Sequence, residues 1–222
     1  MHTELQEHLL ELPLFQGMSR NDLEQILSET KFRQLSFARG KVIVHEGETC
    51  NKLFFLVKGQ ITTTCHSDDK SYSITEPLAA PNILQPERIF GLMQRYTRTF
   101  AAKTNCDLIC LGKKEVMLMS DNYEIFRLNL LNIICTLSQR SDRQMWKLRP
   151  KGIRQKIARF IEERSLRPAG EKIVNIKMER LAEEISESRL NVSKALKAMN
   201  DEGIISLRRG EFCVHAFERM LM

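Results

Sequence analysis

KMERLAEEISESRLNVSKALKAM, residues 177–199, reads as two short helices joined by a sharp turn. In the first, Leu181 and Ile185 lie four apart on one face, and Ala182 is small enough to let a second helix cross closely. Ser186-Glu187-Ser188 breaks the pattern, and Ser188 suits the N-cap of the second helix, because its hydroxyl can accept from the free amides of the first turn. In that second helix Val192, Leu196 and Met199 repeat at spacings of four and three, which turns Arg189, Asn191, Ser193, Lys194 and Lys197 to other faces. Between Ser188 and Asn200 there are three cations and no acid. The shape suits a DNA reader. The same letters also suit an ordinary helical hairpin with a solvated charged face, and the choice depends on what surrounds them.

If the pair is a helix-turn-helix, the second helix enters the major groove by its amino end, so Ser188, Arg189, Leu190, Asn191 and Ser193 lie nearest the bases. Arg189 can grip guanine O6 and N7, a pairing worth about 1–3 kcal/mol of discrimination. Lys177, Lys194 and Lys197 are placed for phosphates, which fix affinity and register but carry no sequence information. Downstream, Gly203 is placed to end the second helix, and the strands 204–207 and 211–215 flank Arg208-Arg209-Gly210. That hairpin carries two cations at its tip and would form a wing able to reach phosphate.

The charge supports this placement. The formal net charge is +6. From residue 148 onward 16 Lys and Arg stand against 11 Asp and Glu, whereas the first 147 residues hold 18 against 17. Positive charge therefore gathers around the helix pair, as binding to a polyanion requires. With 42% hydrophobic and 28% charged residues, 222 residues suffice for two cores. No apolar run approaches about 18 residues, and the amino end has acids where a signal peptide needs a basic region. The expectation is a cytoplasmic protein that does not enter a membrane. Six scattered cysteines read as reduced thiols rather than a disulfide framework. There is no HExxH, P-loop or GxSxG, so the chain does not read as an enzyme, and no metal site or cofactor is indicated.

Upstream, leucines at 5, 9 and 12 make a short amphipathic helix, and Ser19 caps a second one with Leu23, Ile26 and Leu27 inward. From Lys31 short strands are punctuated by Gly40, Gly47 and Gly59, the pattern of an antiparallel roll. Gly47 and Gly59 read as positions needing a conformation that glycine takes cheaply. Residues 67–71 form a polar loop, residues 77–98 an irregular stretch of the kind that often holds a ligand, and two more strands come after it. A long helical pattern begins at Ser120, with Phe126, Leu130, Ile133 and Leu137 at spacings of four, three and four and Leu131 and Ile134 beside them. That stripe is wide enough to pack on both a partner helix and the roll. Pro150 ends it. The expected organisation is an α+β chain: an antiparallel β-roll of the double-stranded β-helix type in 1–120, a long dimerisation helix in 121–149, and a winged helix-turn-helix in 150–222.

HEGETCNKLFFLVKGQI at 45–61 and LAEEISESRLNVSKALKAMNDEGIIS at 181–206, in this order and joined by a helix, resemble the two signatures of the Crp-Fnr family of transcriptional regulators. The resemblance implies a homodimer paired along Phe126, Leu130, Ile133, Ile134 and Leu137, bound to a two-fold symmetric site on double-stranded DNA and contacting RNA polymerase. Ser188 and Arg189 match the family's serine and base-reading arginine, but Leu190 stands where the cyclic-AMP-responsive branch has glutamate. Leucine can touch a thymine methyl and cannot accept from cytosine, so the half-site should differ. The effector cassette departs further. Leu84-Gln85-Pro86 falls near the branch's Gly-Glu pair and Tyr96-Thr97 on its Arg-Ser or Arg-Thr pair, which removes the phosphate's charged partner. Arg98-Thr99 restores the letters two residues too close to the next strand. Gln85, Glu87, Gln94, Tyr96, Thr97 and Arg98 are the candidate effector residues, for a small molecule other than cyclic AMP. Loop residues that satisfy backbone groups, in a protein without an effector, is the other reading. The amino-terminal cysteines of iron-sulfur members are missing, since the first is Cys50, and His45 reads as structural.

Overall fold

The computed structural model describes residues 2–221, with side chains from Gln6 onward. Leu5, read as part of the first apolar face, therefore has its side chain outside the described residues. The chain divides into two compact units, Met1–Ile61 with Leu78–Met145, and Thr62–Pro77 with Trp146–Met222. It is α+β with antiparallel sheets.

In the first unit α1 (His2–Glu11) and α2 (Arg20–Glu29) precede the strands, and Ser19 caps α2 by accepting from the Asp22 amide at 3.1 Å. One sheet has the order β1 (Arg33–Phe37), β8 (Cys106–Gly112), β3 (Lys52–Lys58), β6 (Asn82–Leu84). Its inner strand β3 buries Leu53 through Leu56 in an unbroken run, because both of its faces are covered. β2 (Val42–Val44) pairs with β7 (Thr99–Ala102). Gly59, at φ 91°, joins β3 to β4 (Gln60–His66), and a Cβ there would collide with the Asn105 carbonyl. Gly47, at φ 87°, has open space around it and needs glycine for its backbone alone.

The helical segment differs from the sequence reading in two respects. It is broken at Tyr123 into α3 (Lys113–Asn122) and α4 (Glu124–Met145), and α4 stops ahead of Pro150. More consequential is which face is covered. Phe126 is fully buried with its ring 5.4 Å from that of Phe15, and Leu130 is also buried, so both belong to the core of the protomer. Asn129 ties the same side down by donating to the carbonyls of Leu14 and Gln16. This corrects the seam drawn through Phe126 and Leu130. Ile133, Ile134 and Leu137 are half-buried, and in the first half of α4 the exposed apolar residues are Ile125, Leu128 and Leu131, with Cys135 one turn further on; Met117 and Leu118 of α3 and Met145 at the end of α4 are exposed too. Spacing found the stripe but could not say which neighbour covers which edge.

The second unit contains α5 (Ile153–Arg164), β9 (Lys172–Asn175), α6 (Met178–Glu184), α7 (Arg189–Asp201) and the hairpin β10 (Ile205–Arg208) with β11 (Glu211–Val214). Its strands run in the order β10, β11, β9, then β5 (Ser73–Ala79). The last of these was not anticipated. The irregular stretch read from the sequence begins at Pro77, inside this strand, and the alternation Ile74, Glu76, Leu78 on the buried side is masked by the acid in its middle. The core of the unit gathers Ile157, Phe160 and Ile161 of α5, Leu181 of α6, Val192, Leu196 and Met199 of α7, and Val174, Phe212 and Ile74 of the strands.

Candidate nucleic-acid interface

The helix pair forms because local chemistry stops α6 at Glu184 and restarts the chain as α7 at Arg189. Ser186 takes the left-handed conformation at φ 52°, the Ser186 amide donates to Glu183 and the Glu187 amide reaches back to Ala182 at 2.9 Å. These bonds satisfy carbonyls that the helix end would leave open. Ser188 then caps α7, its hydroxyl accepting from the Asn191 amide at 3.2 Å. At the far end Gly203 is left-handed at φ 73°, and the Ile204 amide donates to Met199. The wing-like hairpin turns through Arg209 and Gly210, with Arg208 opposite Glu211.

Burial sorts the two faces of α7. Val192, Leu196 and Met199 are inside, while Ser188, Arg189, Leu190, Asn191, Ser193, Lys194 and Lys197 are all exposed. Leu190 is 63% exposed, an apolar side chain with no core to enter. Lys177 is exposed at the start of α6, and Arg208 and Arg209 are exposed at the hairpin tip. Every residue proposed for bases or phosphates therefore lies on the surface of one unit.

Several partners were invisible in the sequence. Arg189 Nη1 lies 3.3 Å from Glu179 of α6, an exposed ion pair that must open before the guanidinium can reach a base. Lys156 of α5 donates to Glu187 in the turn at 2.6 Å, and this bond, with a smaller one from Asn191, holds the Glu187 carboxyl below the usual glutamate range. Arg154 pairs with Glu202 beyond the end of α7 at 2.9 Å. None of these pairs has a helical spacing, so no periodicity announces them.

In the first unit the structure brings together only part of the candidate effector set. Gln85, buried and left-handed at φ 42°, donates to Thr97 Oγ1 at 2.7 Å and to Glu87 at 3.3 Å, and accepts from the Thr97 amide at 3.0 Å. Those bonds hold a conformation that costs a non-glycine residue energy. Tyr96 is elsewhere. It is buried, its hydroxyl donates to the Lys52 carbonyl at 2.7 Å, and burial pushes the phenol above its ordinary range. Gln94 bonds the Gly91 carbonyl and accepts from Lys113, both at 2.7 Å. Arg98 is buried. A left-handed Gln85 and a backbone-bound Tyr96 are features that residue type alone does not signal.

Among the described residues no three His, Cys, Asp or Glu gather as a metal site, and no helix is long and apolar enough to cross a membrane. All six cysteines are free thiols.

Residues 34–123 match the family described as Cyclic nucleotide-binding domain. Among solved structures, the chain is similar to the Catabolite Activator Protein of Thermus thermophilus at 20% identity and a TM-score of 0.55, over 94% of this chain and 95% of that one. A transcriptional regulator of the crp/fnr family from Eubacterium rectale aligns at 19% identity and a TM-score of 0.52, over 95% of this chain and 97% of that one. CLP of Xanthomonas campestris, described as a c-di-GMP responsive global regulator, aligns at 15% identity and a TM-score of 0.51, over 89% and 99%. At these identities the likeness is one of fold. No curated protein sequence matches the chain. Residues 34–123 thus match the cyclic nucleotide-binding domain family, and the chain as a whole shares the fold of these solved regulators.

Proposed function

We propose that this protein is a cytoplasmic, dimeric, DNA-binding transcription regulator whose winged helix-turn-helix, residues 150–222, reads a palindromic site. The observation that carries the reading is the division of α7 into a buried apolar face and an exposed face of Ser188, Arg189, Leu190, Asn191, Ser193, Lys194 and Lys197, with no acid before Asp201 at its last position. The amino end of α7 enters the major groove. There Arg189 leaves Glu179 for a guanine, Leu190 contacts a thymine methyl, and Ser188, Asn191 and Ser193 complete the base contacts. Lys177, Lys194, Lys197, Arg208 and Arg209 neutralise phosphates.

Two copies pair along the exposed edge of α4, at Leu128, Leu131 and Cys135, with Ile133, Ile134 and Leu137 beside it. Two-fold symmetry then sets half-sites about one helical turn apart, and bound dimers act on transcription through RNA polymerase. The roll of residues 1–120 hosts a small effector other than cyclic AMP, because the position matching the phosphate-binding arginine is Tyr96, whose hydroxyl is bound to Lys52. Selection of binding sequences from a random duplex pool at moderate salt tests the main reading: a palindrome is expected, and recovery of none would sink it. Native mass spectrometry of the freshly purified protein tests the others, with a dimer and a retained small molecule expected. Leu128→Glu with Leu131→Glu should convert the dimer to monomer in analytical ultracentrifugation.

A further inference from the structure

Ser73, Ile74 and Thr75 of β5 pair with Asn175, Val174 and Ile173 of β9. Continuing that antiparallel register sets Glu76 opposite Lys172. The two side chains are 1% and 2% exposed, and Lys172 Nζ donates to Glu76 Oε2 at 2.6 Å. The same carboxylate accepts from the amides of Leu166 at 2.5 Å and Arg167 at 3.3 Å, and the ammonium donates to the Ala169 carbonyl at 2.9 Å. Replacing a buried ion pair by an apolar pair of the same shape is often neutral or stabilising, whereas removing one partner leaves an uncompensated buried charge. A slip of one residue would turn Glu76 to the opposite face and strand Lys172 as a lone buried charge.

A second anchor lies at the hairpin tip. The Tyr72 ring packs 5.3 Å from Phe160, and its hydroxyl accepts from Arg164 Nε at 2.9 Å. Arg164 also donates to Glu184 of α6 at 3.0 Å. Arg180, also of α6, pairs with Glu184 at 2.7 Å and with Asp69 of the hairpin at 3.4 Å. Ile74 completes the core beneath α6 and α7. Residues 62–77 thus contribute a strand, a core side chain, a buried charge and two grips on the first helix of the pair.

We infer that the 62–77 hairpin is a clasp that positions the DNA reader, with Glu76 and Tyr72 as its positioning residues, and that DNA is bound only while the clasp is shut. The second half of this inference rests on the DNA-reading assignment above. β4 and β5 continue past residues 62 and 77 into the first unit, so the strands that carry the clasp are covalently continuous with that unit, and the clasp meets α6 through Tyr72 and Asp69.

The test is hydrogen exchange by mass spectrometry together with duplex-binding anisotropy, both on the full chain with the selected sequence. Glu76→Ala should speed exchange of segments 166–167 and 172–175 and weaken DNA binding, each by about tenfold or more. Glu76→Leu with Lys172→Met, which removes both charges, should bring both readouts back to within about threefold of the parent. Unchanged exchange in Glu76→Ala overturns the clasp. Faster exchange with unchanged DNA affinity, or a double variant that recovers exchange but not affinity, overturns its role in reading. Should Glu76→Ala fail to fold, Tyr72→Phe keeps the ring and removes the shared hydroxyl. It should speed exchange across α6 and weaken DNA binding about threefold, and no change in either overturns the clasp. If the parent protein binds no duplex at all, the reading assignment falls, while the exchange results still decide whether the clasp exists.

Discussion

Two polar stretches of this chain end in opposite states. Residues 85–98 and residues 188–197 both mix amides, hydroxyls and cations, yet the first turns most of them inward and the second outward. Gln85, Tyr96 and Gln94 are hydrogen-bonded to Thr97, Lys52, Gly91 and Lys113, and Gln85, Tyr96 and Arg98 are buried. Along 188–197 of α7, Ser188, Arg189 and Asn191 have polar partners nearby, through the cap, through Glu179 and through Glu187, and all three stay exposed with Ser193, Lys194 and Lys197. A groove of charged phosphates can be met by such an open face without prior ordering, whereas a small ligand needs groups already fixed in place. The difference supports a surface for a polymer in one unit and a prearranged frame in the other.

The comparison can be broken at either end. The largest effect is expected from neutralising Lys194, Lys197, Arg208 and Arg209 together. If all four meet phosphates, the slope of log affinity against log salt should shallow by about three to four, and binding should fall by at least about a hundredfold at low salt. A salt titration monitored by anisotropy measures it, and an unchanged slope would place the phosphate backbone elsewhere. Arg189→Ala comes next. It should cost about 1–3 kcal/mol against the preferred site and erase discrimination at one base pair of each half-site, with the melting temperature unmoved. A selected sequence identical to the parent's would show that the amino end of α7 does not face the bases.

On the buried side, Gln85→Ala should lower stability by about 1–3 kcal/mol in urea unfolding, since the buried Gln85 side chain no longer bonds the half-buried Thr97 and Glu87, and should leave DNA affinity alone. If stability is unaffected, the cassette is not fixed by its own side chains and the contrast with α7 disappears. The smallest effect concerns the turn. Because the Lys156 hydrogen bond depresses the folded carboxyl of Glu187 below its unfolded value, its contribution is present above the unfolded value and is lost as pH falls through the depressed one. Lys156→Met should flatten that part of the acid limb, as read from urea midpoints across the carboxylate range. An acid limb identical in the two proteins would show that the bond is not maintained in solution.

The legible parts of the molecule are those whose causes are local. Ser19 and Ser188 cap helices because a hydroxyl reaches the amide three residues on, and Gly203 ends α7 because it takes the left-handed conformation cheaply. The turn at Ser186 and the outward face of α7 come from spacing alone. β5 was not legible. Its buried position 76 holds a glutamate, which reads as surface until Lys172 is placed against it, and Pro77 comes directly after it. In the same way the apolar stripe of α4 was plain, but its division was not: Phe126, packed against Phe15, and Leu130 went to the protomer's own core.

The sequence by itself determined the helices, their caps, the glycine turns and the concentration of positive charge around α7, because each depends on a few neighbouring residues. Only the tertiary structure decided that residues 62–77 complete the carboxyl-terminal unit, that Glu76 answers a lysine 96 positions away, and that Tyr96 faces a backbone carbonyl instead of a ligand. The physical reason is the same in each case. A buried polar group is fixed by the partner that removes its desolvation cost, and that partner is chosen by the packing of distant strands.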